Sequence, residues 1–472
     1  MSASLPDYVA SAKPNSLANR APWHKTIAPT YAGVMLWFVF WQSLATAEKH
    51  AGGTLAAGIG TALLGIVVAA LICHFLFYYV PGLLGMKTGL PLYVVGTSTY
   101  GVVGGLILPG LVMGVLQFGW IGVNAYGVAE LLCKGFGVKI TEGVVFPIVN
   151  PVHAGIAIVF AAGCAFMGLK GIQYVAKVAT FLPLIPIAVL VVLLVKTVGG
   201  IGNFTPEQVQ TAGGKEAALS GIQILTFLTT VIVGFFATAG AAGTDIAMAG
   251  RDPKDVQLGG MVGIVLSTIF AGGLAVIVVA GAYGGGLVPA AADNAATSLN
   301  PLDLMKGGLL SQNVSNIFMI LLAISSFPGG CFSAFIAANS FKTTMPKVNP
   351  WLSVGLGTIV SIILAVTGLT GKVVQVFSVI GASFGPVCGA MVADFLLSGR
   401  KWNGPRAGFN PAGWISWALG FVVGSADFIP QLAGKIPCPP VAAFIVGFVV
   451  YLVLAMIGLQ SRTLEMPAEK AA

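Results

Sequence analysis

Apolar runs of twenty or so residues recur along the chain with short polar breaks between them. Each is long enough to cross the hydrocarbon core of a bilayer as a helix. Twelve such spans are predicted, near residues 28–48, 53–80, 102–133, 147–169, 173–198, 220–249, 257–287, 313–341, 351–369, 372–398, 412–430 and 439–459. The breaks carry loop chemistry: Gly199-Gly200 with Asn203, Arg251-Asp252-Pro253-Lys254-Asp255, Pro346 to Pro350, residues 400–406, and Pro437-Cys438-Pro439-Pro440. Continuous runs of this length are unlike the weak alternation of a membrane barrel, so the fold class is an all-α membrane protein.

Composition sharpens this reading. Hydrophobic residues make up 57% and charged residues 8%, against about 25% charge in soluble domains. That deficit excludes a water-soluble enzyme, a disordered chain and a nucleic-acid binder. The chain divides into a polar tail (1–27), one transmembrane domain (28–459) and a short carboxyl tail (460–472). The first tail carries Lys13, Arg20 and Lys25 but no apolar core followed by a small-residue cleavage site, so it reads as a cytoplasmic tail and not a signal peptide. With that tail inside, fifteen of the 23 Lys and Arg fall on cytoplasmic segments. This places both termini in the cytoplasm of a cell-membrane protein, and the net charge of +8 reflects the same bias.

Catalytic chemistry is absent from the pattern. There is no Walker A sequence, no G-x-S-x-G and no HExxH, and the six cysteines show no metal-ligand spacing. The chain reads as neither an enzyme nor a primary pump, with no cofactor, no metal site and no obligate protein partner.

Polar residues inside apolar spans are costly, so their positions inform. Gln117, Trp120 and Asn124 share one face of the third span, where an amide and an indole suit a flat ring or simply glue helices together. The sixth span, Thr229 to Asp245, crowds hydroxyls and three glycines, which fits either an interrupted helix at a midplane site or a packing seam. Trp41-Gln42-Ser43 sits in the outer half of span 1, without Gly or Pro to break it. Ser325-Ser326-Phe327-Pro328-Gly329-Gly330 in span 8 reads as distorted backbone or as a kink whose hydroxyls bond carbonyls one turn back. Asp245 and Asp394 read as paired interfacial groups, Glu130 and Asp427 as solvated, and His153 as structural.

Several stretches carry a family resemblance. Met86-Lys87-Thr88-Gly89-Leu90, Gln117 through Val123, Val233-Gly234 through Asp245 with Gly250-Arg251, Gly381-Ala382-Ser383-Phe384-Gly385-Pro386-Val387 through Phe395, and Phe409-Asn410-Pro411-Ala412-Gly413-Trp414 resemble the nucleobase–cation symporter family of cytosine and purine permeases. The resemblance covers about residues 28 to 430. It implies a LeuT-like five-plus-five inverted repeat (28–198 and 220–398) plus two carboxyl-terminal helices (412–459), with spans 1 and 6 broken at the site. It implies symport, by alternating access, of a nucleobase-like heterocycle with Na+ or H+. A passive channel or facilitator for a small neutral solute is the alternative. The implied ring site comprises Trp120 facing Phe236, with Gln117, Asn124, Thr238 and Gln42. The implied sodium site lies near Trp41, Ser325 and Ser326. Cytosine permeases have an Asn-rich eighth span where this chain reads Ser325-Ser326-Phe327-Pro328. Purines, uracil-like rings, hydantoins and pyridine-type vitamins therefore stand beside cytosine as substrates.

The Lys and Arg bias generates a topology prediction. Reporter fusions after residues 252 and 403 should report cytoplasm, and fusions near 207 and 293 the outside; an outside signal at 252 contradicts it.

Overall fold

The computed structural model describes residues 5–47, 49–140, 150–171, 181–288 and 297–466. The expected start of span 4, the first part of span 5 with Lys177, and the end of the carboxyl tail with Lys470 lie outside the described residues.

Twelve apolar helical segments follow the predicted order. Among the described residues nine are long enough to cross a membrane: Ile59–Thr88, Thr97–Gly135, Pro151–Lys170, Leu184–Asn203, Gly221–Ala241, Pro253–Gly284, Gln312–Thr344, Val373–Leu397 and Pro439–Met456. These are spans 2 to 8, 10 and 12. Spans 9 and 11 are the shorter Pro350–Val366 and Pro411–Gly424. Span 1 is divided into Ile27–Met35 and Phe38–Gln42.

Spans 1, 2, 6 and 7 pack on one another, and spans 3, 4, 8 and 9 form a second group. Span 5 lies against spans 7 and 8, while span 10 packs on spans 6, 11 and 12. Small residues set the closest approaches. A Cβ on Gly234 would stand 2.7 Å from the Phe377 carbonyl oxygen, and one on Gly240 would stand 2.8 Å from the Phe77 side chain. The sixth-span glycines thus form a seam against spans 10 and 2. The expected break in span 6 is only a jog: Ala242 keeps a right-handed conformation (φ −64°, ψ −7°) and the helix resumes at Gly243–Ala247.

Span 8 is kinked, not unwound. Ser325 Oγ donates to the Leu322 carbonyl at 2.7 Å and Ser326 Oγ to the same oxygen at 3.3 Å. The two hydroxyls satisfy the turn that Pro328 disturbs.

At one end of the bundle the amino-terminal tail crosses the helix junctions. Asn15 N–H donates to the Gly89 carbonyl at 2.8 Å and Ala21 N–H to that of Ala249 at 2.9 Å. Arg20 Nη1 donates to the Met86 carbonyl at 2.6 Å, and Trp23 N–H to Asp255 Oδ1 at 3.1 Å. The tail is therefore folded onto the domain that the sequence sets apart from it.

The same end holds a buried ionic knot. Asp394 accepts from Arg406 Nη2 at 3.3 Å, from Tyr451 OH at 2.7 Å and from the Ser98 hydroxyl. Arg406 Nε also donates to the Ser98 carbonyl at 2.8 Å. The start of span 3, the ends of spans 10 and 12 and the loop at 406 are joined in one network. Asp394 is paired as expected. Asp245 is not: it accepts from Leu92 N–H at 3.2 Å and has no ion pair among the described residues.

Breaking a buried pair by removing one partner costs about 3–5 kcal/mol because the other charge is left uncompensated. Arg406→Met should lower stability by that order in detergent unfolding curves, and adding Asp394→Asn should recover part of the loss. An unchanged curve for Arg406→Met contradicts the knot's role.

Candidate substrate and ion site

The break in span 1 organises the site. Leu36 ends the first half-helix in a right-handed conformation, and Trp37 is extended (φ −62°, ψ 129°) before Phe38–Gln42 turns helical again. The expectation that span 1 is broken holds, one turn before Trp41. Trp41 serves the break from behind: its ring is fully buried and its Nε1 donates to the Leu36 carbonyl at 3.0 Å. Its backbone carbonyl accepts from Leu44 N–H. Trp41 is thus a cap on the break, and its carbonyl is engaged within its own segment.

At the break, rings from four spans converge. Trp37 lies 6.0 Å from Trp120 and 6.1 Å from Phe235, centroid to centroid. Trp120 lies 5.3 Å from Phe235 and 5.6 Å from Phe377, and the two phenylalanines lie 5.2 Å apart. Such edge-on and offset contacts are worth about 0.5–1.5 kcal/mol each beyond area burial. The expected partner of Trp120 was Phe236, but that ring is fully buried against Tyr31 at 5.7 Å. Adjacent helical residues point about 100° apart, so when Phe235 faces span 3 its neighbour turns toward spans 1 and 2.

The polar residues of the face expected on span 3 are near this cluster. Trp120 Nε1 donates to Thr238 Oγ1 at 3.3 Å, which joins the third and sixth spans as the resemblance implies. Asn124 Nδ2 donates to the Trp120 carbonyl at 3.0 Å. Gln117, one turn toward the tail, bends back on its own helix, with Nε2 3.4 Å from the Met113 carbonyl. Among the described residues two buried polar atoms here have no hydrogen-bond partner: Asn124 Oδ1 and Trp37 Nε1. Buried polar groups are paired in the great majority of cases, so two orphans in one neighbourhood make it a candidate place for a ligand. Asn124 Oδ1 faces the span 8 kink, 3.8 Å from where a Cβ on Gly329 would stand.

Gln42 stands elsewhere. It lines a cavity of about 120 Å³ with Val39, Ser43, Thr46, Val123, Glu130 and Asn300, on the side of the cluster away from the tail. Glu130 is not simply solvated: its carboxylate is 3.0 Å from Lys134 Nζ, which also reaches Asp303 at 3.0 Å. Ser325 and Ser326 bond Leu322, and among the described residues no hydrogen bond joins them to span 1. The two parts of the expected ion site are therefore not linked directly. His153 is buried edge-on to Tyr126 at 4.9 Å, in keeping with a structural role.

Sequence reasoning missed Trp37, Phe235, Phe377 and Glu130. Trp37 had a signal, an indole in mid-span. The choice of Phe235 over Phe236 depends on helix rotation, which no local pattern encodes.

No family model matches the chain. It is 24% identical over 433 residues to the cytosine permease of Escherichia coli (strain K12), covering 89% of both proteins, and matches the permease of strain O157:H7 equally. In fold it is similar to Mhp1 in an inward-facing conformation (TM-score 0.69, 15% identity, 98% of this chain and 97% of that one). It also matches Mhp1, a nucleobase-cation-symport-1 family transporter, closed with bromovinylhydantoin bound (TM-score 0.65, 16% identity, 96% of each). A Na+-coupled sialic acid symporter has a TM-score of 0.61 at 13% identity, covering 98% of this chain and 94% of that one. Motifs, chain-wide likeness and fold agree: the chain is similar to a cytosine permease over 89% of its length and shares the fold of Mhp1, a membrane transporter.

Proposed function

We propose that the chain imports a nucleobase-like heterocycle by symport with Na+ or H+ across the cell membrane, with both termini in the cytoplasm. Spans 1–5 (28–198) and 6–10 (220–398) act as the two inverted repeats, and the last two helices (412–459) brace span 10. The observation that carries this reading is the pair of orphaned polar atoms, Asn124 Oδ1 and Trp37 Nε1, beside four converging rings at the span 1 break. An acceptor and a donor with aromatic faces between them complement a flat ring whose edge carries N–H and C=O groups. The rings now pack on one another, so the ligand enters as one turns aside and ring–ring contact becomes ring–ligand contact. Gln117 and Thr238 stand close enough to contribute after such a turn. Gln42 lines a separate cavity and Phe236 packs against Tyr31, so neither touches a ring held at the cluster.

Stacking on an aromatic platform is worth about 1–3 kcal/mol per base. Trp120→Ala should weaken every bound ring by a similar factor, on the order of 10- to 100-fold. Asn124→Leu or Gln117→Leu should instead reorder the preference among cytosine, uracil, hydantoin and purines, since edge readout is specific. Gly329→Ser fits, because among the described residues the one heavy atom beyond its own helix backbone within 4 Å of its Cβ is Asn124 Oδ1. Its hydroxyl can donate to that oxygen, and rings that offer N–H there should lose affinity selectively. Equilibrium binding with a radiolabelled panel reads all of these outcomes. Unchanged affinity in Trp120→Ala removes the stacking site.

The coupling ion sits, in this reading, between the carbonyls of the span 1 break and the hydroxyls of Ser325 and Ser326, because oxygen ligands suit hard cations. Cation binding would swing the hydroxyls away from Leu322 and draw span 8 toward span 1. By linkage, ion and ring then raise each other's affinity by the same factor. Uptake into liposomes under a sodium or a pH gradient tests this. Sodium-driven uptake lost in the Ser325→Ala, Ser326→Ala double variant supports the site; uptake driven by the pH gradient alone makes the proton the coupling ion.

A further inference from the structure

The cavity beside Gln42 is separate from the aromatic cluster, yet it is built on the same two helices. Gln42 follows Trp37 by five residues on span 1, and Val123 and Glu130 follow Trp120 by three and ten on span 3. At 1.5 Å rise per residue, the cavity lies roughly 5–15 Å along the helices from the cluster, away from the amino-terminal tail. We infer that this cavity is a second binding site, a waiting position in which a single-ring heterocycle bearing N–H donors rests before reaching the cluster. The inference rests on the proposed transport of such rings.

Three features point to that ligand. The first is size. The cavity is about 120 Å³, of the order of the ~150 Å³ apolar cavity that accepts benzene, so its space favours one five- or six-membered ring over a fused purine. The second is the lining. Glu130 supplies a carboxylate and Gln42 an amide with no hydrogen bond of its own among the described residues, while the Ser43 and Thr46 hydroxyls donate to backbone carbonyls and keep lone pairs to accept. Asn300 uses its side-chain oxygen on Leu302 N–H at 2.9 Å, which leaves its amide N–H groups to donate. A ring edge with N–H groups and one carbonyl meets an acceptor and a donor at once. The third is charge. Lys134 is shared between Glu130 and Asp303, so one ammonium serves two carboxylates and the Glu130 oxygens keep accepting capacity toward the cavity.

The test is binding stoichiometry on the purified full chain, with radiolabelled cytosine, uracil and hydantoin as single rings and adenine as the bicyclic control. The wild type should bind two single rings per chain, and adenine once at most. Trp120→Ala should leave the outer site alone. Thr46→Phe, which fills the cavity from span 1, should leave the inner site alone, provided its melting temperature matches the wild type. Glu130→Gln, a near-isosteric change that covers the case in which Thr46→Phe does not fold, should weaken the outer site about tenfold, since a hydrogen bond to a charged acceptor becomes one to a neutral amide. One ring per chain, with stoichiometry and affinity unmoved by a folded Thr46→Phe or Glu130→Gln, overturns the inference while leaving the central site standing. Two adenines per chain overturn the single-ring assignment. Failure of every ring to bind at either position overturns the proposed function as well.

Discussion

Within a bilayer every backbone N–H and C=O must find its partner inside the protein, and the whole site is a consequence of where this chain leaves the helix under that constraint. Span 1 does so at Leu36 and Trp37, and the exposed polarity is met locally: the Trp41 indole donates to the Leu36 carbonyl, and Phe40 N–H to that of Trp37. A tryptophan side chain substitutes for the missing turn. Because the break is capped from behind, the extended residue can carry its own indole forward, among the rings of spans 3, 6 and 10. The site is thus the front of a backbone defect whose rear has been sealed.

The rings also join the two helix groups. Trp37 and Phe235 come from the group of spans 1, 2, 6 and 7, Trp120 from the group of spans 3, 4, 8 and 9, and Phe377 from span 10. Contacts of this kind are individually small and adaptable in angle, unlike the Asp394–Arg406 knot, whose directional bonds fix its partners. The molecule therefore concentrates rigid chemistry at the tail end of the bundle and compliant chemistry at mid-depth. A ligand that replaces one ring contact with another changes the seam between groups without breaking a charge pair.

The spans were legible because a run of apolar residues is a local property, and eleven helical segments and a divided first one follow the predicted order. Trp120 and Thr238 were named through the resemblance, and in the fold a hydrogen bond joins them. What could not be read was rotation and phase. Phe235 and Phe236 are equivalent in sequence and differ only in which way the helix turns. The break at Leu36–Trp37 carries neither Gly nor Pro, so it leaves no compositional mark; tertiary packing imposes it. The sixth-span glycines have the opposite lesson. They look like a helix breaker, yet their small size is used for close approach, and the helix runs on almost undisturbed. Glu130 reads as solvated because it lies near the outer end of its span, while the Lys134 that holds it is shared with Asp303 from a distant segment.

The amino-terminal tail offers a last point. Most of its anchors reach carbonyl oxygens: Asn15 to Gly89 and Met248, Arg20 to Met86 and Gly250, Ala21 to Ala249, while Trp23 N–H reaches the Asp255 carboxylate. Any residue presents a carbonyl, so side chains at Met86, Met248 and Ala249 are nearly free to drift over evolution. What cannot drift is spacing. One residue inserted between Asn15 and Ala21 would carry the later donors past their acceptors, while substitutions at Met86 or Met248 keep the accepting carbonyl; Gly89 is held by its positive φ (+64°) and by Asn15 N, 2.9 Å from where a Cβ would stand. The tail reads its partner as a ruler does, by length, and its variation should be written in substitutions and not in insertions.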